Sequence, residues 1–153
     1  MNLKMIKGLK QMTLGNLADW MRNHLDAYII TTIKEDNVKA LKYIKDNYPD
    51  IKDRIIPQIR YTGEYYPVLA QKYRKIIFNL SLGKYTDEEI LDFMNLYEHF
   101  AVAMPIDKAK GDFPKKLKER GVRSYVYVVG TEEVKQELKE NNVFGIYTHN
   151  MAP

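Results

Sequence analysis

The chain has no cysteine, one tryptophan and three histidines among its 153 residues. Without thiols it can form neither disulfides nor thiolate metal sites, which fits a reducing compartment. No window approaches the roughly 18 uninterrupted apolar residues of a membrane-spanning helix, so no membrane span is expected. Met1 to Met12, with Lys4, Lys7 and Lys10 spread through it, lacks the apolar block of a signal peptide, and a cytoplasmic location is the default expectation. No G-x-G-x-x-G and no phosphate-loop lysine motif occurs either. The glycine-rich first turn of a doubly wound nucleotide-binding domain is therefore missing.

What is present is ample for a core. The chain is 45% hydrophobic and 29% charged, and nothing in it marks a linker, so residues 1–153 are read as one domain. The formal charge of +4 invites a nucleic-acid partner. Most lysines, however, are interleaved with glutamate and aspartate on the outer faces of predicted helices, and scattered charge argues against such a partner.

Gly121 to His149 reads as one complete strand, helix, strand unit. Gly121 stands where a helix C-terminal glycine belongs, and Ser124 to Val129 is a β-branched and aromatic run suited to a buried strand. Thr131 is a helix N-cap, with Val134 and Leu138 as the inward stripe, and Val143 to Tyr147 is a second short strand. A connection of this length makes the two strands parallel.

The same unit recurs along the chain. Thr13 to Leu25 is a predicted helix with Leu14, Leu17, Met21 and Leu25 on one side, and Trp20 is read as packing. Strands follow at Ala27 to Ile33, Arg54 to Ile59, Lys75 to Leu80 and Phe100 to Met104. Between them lie a helix capped by Asp36, a helix opened by Thr62 and carrying Tyr65, Leu69 and Tyr73, and a helix with the capping box Thr86 and Glu89. Pro57 has no N–H to donate, which points to imperfect pairing at the centre of its strand. Asp107 to Arg120 is loop and helix.

Six strands recurring at roughly 20 to 27 residues suit repeated βα units, in an open doubly wound sheet or a β/α barrel. The lack of a phosphate-binding turn weakens the first. A full barrel takes eight units and typically about 250 residues, so this chain supplies six. Lys34, Gln58 and Asn79 interrupt apolar strands near their C-terminal ends, where such folds place ligands.

The segments TLGNLADWM, AYIITTIKEDN, RIIPQI, KIIFNL, FAVAMP, GVRSYVYVV and VFGIYTHNMAP, in this order, resemble the C-terminal three quarters of a glycerophosphodiester phosphodiesterase domain, a β/α barrel related to phosphatidylinositol-specific phospholipases. The resemblance runs from about Met12 to the end. It implies an α/β fold: a partial TIM-type β/α barrel of about six parallel strands alternating with helices, with the first two βα units missing. It also implies a phosphodiester hydrolase family in glycerophospholipid metabolism.

In that family a catalytic His-Arg-Gly lies on the first strand, with acidic metal ligands and a second histidine on and after the second. Intact members use calcium or magnesium. None of those groups can be assigned in this chain, so no catalytic residue, metal ligand or cofactor is expected here. Lys34 matches a family lysine, but Thr32 stands where a carboxylate would be, and Thr32 cannot replace an anionic metal ligand. Tyr127 stands at a family tryptophan or histidine, and Phe144 and His149 at family aspartates. His99 and His149 have no partner histidine at a catalytic spacing.

The expected site is a ligand-facing rim of Lys34, Gln58, Asn79, Tyr127 and Tyr147. It would take a phosphodiester or other small anion, with Arg60 and His149 nearby. The alternative is a non-catalytic module that associates with itself, or with a chain supplying the missing strands, because six strands leave two open edges.

Overall fold

A computed structural model of the chain describes residues 11–96, 100–127 and 129–149. Helix α1 (Leu14–Asn23) is opened by Thr13, whose hydroxyl accepts from the Asn16 N–H while the Asn16 side chain accepts from the Thr13 N–H. There follow β1 (Ile29–Thr31), α2 (Asn37–Asn47), a 3-10 turn (Lys52–Arg54), β2 (Ile55–Ile59), a second 3-10 turn (Thr62–Glu64), α3 (Tyr65–Ala70) and β3 (Ile76–Asn79). The chain continues through α4 (Asp87–Asn95), β4 (Phe100–Pro105), α5 (Ile106–Ala109), α6 (Phe113–Glu119), β5 (Arg123–Tyr127), α7 (Glu132–Glu140) and β6 (Gly145–Ile146). The Thr86 and Glu89 capping box and the Thr131 cap form as the sequence predicts. Gly121, at φ +72°, takes the left-handed conformation that ends α6, a region costly to side chains with a Cβ.

All six strands are parallel and lie in sequence order, β1 beside β2 and so on to β6. The register divides their side chains between two faces. Ile55 and Ile59, Ile76 and Phe78, Val102 and Met104, and Val126 share the face covered by helices, and all belong to one buried hydrophobic cluster with Leu41, Val68, Ile90, Leu117 and Leu138. The other face carries Ile30 and Thr32, Ile56 and Gln58, Ile77 and Asn79, Ala101 and Ala103, Tyr125 and Tyr127, and Tyr147. Alternation in a strand makes this division unavoidable once the register is set.

Several elements differ from the sequence reading. Trp20 does not pack inward: it is 40% exposed and stacks on His24 with ring centroids 4.1 Å apart. Leu25 is 77% exposed, because α1 stops at Asn23 before the apolar stripe reaches it. The helix opened by Thr62 is a 3-10 turn and then a six-residue helix, so Tyr73 lies beyond it, buried, with its hydroxyl donating to the Leu41 carbonyl. Pro57 lies opposite Thr31 on β1, and pairing towards β3 covers only Gln58 and Ile59. Lys34 lies past the end of β1, in a bend.

Packing of the helix-covered face sets the stability. Phe78 has no exposed surface and meets Tyr85 and Phe93 at ring-centroid distances of 5.3 and 5.4 Å. Phe78→Ala is expected to cost about 3–5 kcal/mol in urea unfolding. Leu25→Ala, at an exposed position, should change stability by less than about 0.5 kcal/mol.

Candidate functional site

In a parallel α/β sheet the C-terminal strand ends and the loops that follow them form the ligand-binding mouth. Here that end of the face away from the helices is polar. Gln58 and Asn79 are buried at 5% and 8% exposure and sit on adjacent strands. Asn79 Nδ2 donates to Gln58 Oε1 at 2.6 Å, and Gln58 Nε2 donates to Thr32 Oγ1 at 2.8 Å. The Ser81 N–H donates to Asn79 Oδ1 at 2.9 Å, and Asn37 Nδ2, from the start of α2, donates to the Gln58 carbonyl at 3.0 Å. The result is a lateral ladder across β1, β2 and β3, in which each amide locks its neighbour's orientation. Buried amides need such partners, since an unpaired one costs about 1–3 kcal/mol.

Across β4 the ladder gives way to small side chains, Ala101 and Ala103, and beyond them stands a wall of tyrosines. Tyr125 and Tyr127 lie two apart on β5 and so on one face, and Tyr147 follows β6. Their rings are tilted against one another by 34° and 30°, with centroids 5.9 Å apart for Tyr125 and Tyr147 and 6.4 Å for Tyr127 and Tyr147. Gly145 makes room for this: a Cβ there would sit 2.9 Å from the Tyr125 ring. The hydroxyls of Tyr127 and Tyr147 are buried and have no hydrogen-bond partner among the described residues.

Burial pushes the Tyr147 phenol up to about 12, with Tyr125 and Tyr127 adding to the rise. Burial also raises Tyr127. Ser81 lies near enough to temper that rise, yet the two hydroxyls do not meet in hydrogen-bonding geometry. Both phenols are therefore neutral donors at ordinary pH.

Of the five rim residues expected from sequence, Gln58, Asn79, Tyr127 and Tyr147 share this mouth, the amides in the ladder and the phenols in the wall. Lys34 is at the same end, but its side chain is exposed and outside the ladder. Its carbonyl, with that of Ile33, accepts from Arg60 Nη2 at 3.1 and 2.7 Å. Thr32 serves the ladder as an acceptor. His149 is exposed beyond β6, His24 lies at the opposite end of the sheet, and His99 falls outside the described residues. Among the described residues no three of His, Asp or Glu gather as a metal cage. Ser81, in the turn after β3, and Tyr125 and Gly145 were not singled out from sequence, although the spacing of two from Tyr127 and Tyr147 places the latter two on the same face.

No protein-family model matches the chain, and no curated protein matches it in sequence. A solved structure does match in fold. It is the crystal structure of a protein provisionally named a glycerophosphoryl diester phosphodiesterase, from Silicibacter pomeroyi DSS-3, with a TM-score of 0.61 at 13% identity over 88% of this chain. The chain spans about half the length of that structure, 52%. The fold is a partial TIM-type barrel. Six parallel strands with their helices make up this half-barrel, and at such low identity the likeness carries the fold and no further.

The tyrosine wall gives a pH signature. An exposed phenol ionises near about 10, whereas Tyr147 and the buried Tyr73 hold their protons up to about 12. Because these folded-state values lie above the unfolded one, their stabilising contribution is intact below pH ~10 and lost as pH rises through about 12. A phenolate absorbance titration should show a late step, and Tyr147→Phe should remove part of it.

Proposed function

We propose that the chain is the ligand-recognising portion of a glycerophosphodiester phosphodiesterase-like barrel. By itself it binds a small phosphodiester or related anion at the strand C-terminal mouth without cleaving it. The fold likeness supports the family reading. The observation that carries the binding reading is the pair of buried, unpartnered hydroxyls of Tyr127 and Tyr147, across Ala103 from the Gln58 and Asn79 ladder. Buried donors without partners are costly, and a ligand oxygen relieves that cost.

The rest of the mouth narrows the source of anion affinity. Helices α2, α4 and α7 point their N-termini towards it, an arrangement that favours anions. Those termini are already occupied by their own caps Asp36, Thr86 and Thr131, with Asp87, Glu88, Glu89, Glu132 and Glu133 in the first turns. Affinity therefore rests on the phenols, on Lys34 and on Arg60.

Catalytic incompleteness is supported by the placement of the histidines. Hydrolysis of the kind the family performs uses a paired acid and base beside a metal-bound phosphate. His24 and His149 stand at opposite ends of the sheet.

Calorimetric titration with glycerol 3-phosphate and glycerophosphocholine tests this. Lys34→Met should weaken binding roughly tenfold, the loss expected for one charge-assisted hydrogen bond. Tyr147→Phe should weaken it severalfold. Unchanged affinity in both variants, or robust calcium- or magnesium-dependent hydrolysis by the purified chain, would remove the proposal.

A second reading, association with another copy or with a chain that supplies strands, is favoured by the sheet edges. Strands β1 and β6 are three and two residues long and unpaired on their outer sides among the described residues, and Ile30 is 38% exposed beside the β1 edge. Sedimentation velocity should then show a species larger than the 18.0 kDa chain at high concentration. A monomer throughout counts against it.

A further inference from the structure

We infer that the end of the sheet opposite the mouth, formed by the N-terminal strand ends, is a docking surface for an anionic lipid bilayer. Cations scattered in the sequence are gathered there by topology. Arg74 and Lys75 precede β3, Arg120 and Arg123 flank the start of β5, and Lys139 ends α7. All five are exposed, and none forms an ion pair among the described residues. On this end Asp26, Glu119 and Glu140 oppose them, while Arg22 and Lys52 are spent on Asp19, Asp50 and Asp53.

Cations near helix C-termini also complement the helix dipoles, and Lys139 is accounted for in that way. Dipoles do not explain the apolar side chains on the same rim. Leu25 is 77% exposed, Leu96 72%, Phe144 58% and Tyr28 50%, and each lies between a helix end and the start of a strand. Exposed aliphatic and aromatic groups alternating with cations around one rim are the pattern of an interfacial surface: the apolar groups enter the headgroup boundary and the cations meet anionic lipid.

Nucleic acid fits less well. The two aromatic rings that base stacking would need already carry cations, Lys75 Nζ at 4.1 Å from the Tyr28 ring centre and the Arg123 guanidinium 4.8 Å from that of Phe144. Leu25 and Leu96 have no role in phosphate binding. Rings held with a cation on one face are suited to the headgroup level of a bilayer. Docked in this way, the chain turns its tyrosine-lined mouth away from the membrane, towards solutes. The inference does not depend on what the mouth binds.

Flotation of the full chain with vesicles tests it. Vesicles of phosphatidylcholine with phosphatidylserine should carry the protein at an ionic strength of about 0.15 M and release it near 1 M, where screening is short-ranged. Vesicles of phosphatidylcholine alone should not carry it. Arg74→Gln with Lys75→Gln should lower the partition coefficient about 25-fold, at roughly fivefold per basic side chain. Leu25→Ser with Leu96→Ser should also lower it. Lys39→Gln with Lys84→Gln, in the first turn of α2 and in the loop after β3 at the mouth end, should change it less than twofold.

All six positions are exposed, so unchanged circular dichroism is expected, and the two rim pairs give independent tests. The inference is overturned by equal binding to neutral vesicles, by no vesicle binding, by an equal loss in the mouth-end pair, or by capture of a single-stranded oligonucleotide in place of vesicles.

Discussion

The parallel register of the six strands is the constraint on which the rest depends. Once Ile59 lies opposite Phe78, and Phe78 opposite Val102, every second residue faces the helices and the residues between face away. Among the described residues the helix-facing set is apolar apart from Thr31 and Ser124, and it is buried except at Ile29, Thr31 and Ile146 on the two edge strands. The other set changes character along its length, from Ile30, Ile56 and Ile77 at one end to Thr32, Gln58 and Asn79 at the other. The ladder of side-chain amides is thus a product of the same register that builds the core, and it ties together three strands at their C-terminal ends.

Because every crossover runs the same way, the helices also align. Their N-termini collect at the mouth and their C-termini at the opposite end, and the sequence complements this with carboxylates in the first turns of α4 and α7 and lysine or arginine in the last turns of α1, α2, α6 and α7. Arg54 makes the link between helix and sheet explicit: its Nη1 donates to the carbonyls of Met21 and His24, both at 2.7 Å, closing the end of α1 against the start of β2. The two ends of the sheet consequently differ in charge and in chemistry. One offers oriented phenols and amides within a ring of acidic caps. The other offers cations and exposed apolar side chains.

Much of this was legible in the sequence. Strand and helix types followed from period and from caps such as Thr86 with Glu89, because local hydrogen bonding decides them. Gln58, Asn79, Tyr127 and Tyr147 were visible as polar or aromatic positions at strand ends. Lys34 falls in the bend after β1 rather than at the end of the strand, because β1 stops at Thr31, a boundary that apolar patterning does not mark. Trp20 was misread because its burial depends on what covers α1, which periodicity does not report. Tyr125 and Gly145 became meaningful only when β5 and β6 were set side by side, and the clustering of Arg74, Lys75 and Arg123 only when the strand order put β3 and β5 on either side of β4 in one sheet.

The most direct test of the two-faced sheet is solution NMR of the side-chain amides of Gln58 and Asn79. If the register is as described, both groups exchange slowly with solvent and show a cross-strand nuclear Overhauser contact with each other, and the Gln58 amide also shows one with Thr32. Rapid exchange of both amides at the rate of exposed glutamine and asparagine, with no contact between them, would contradict it.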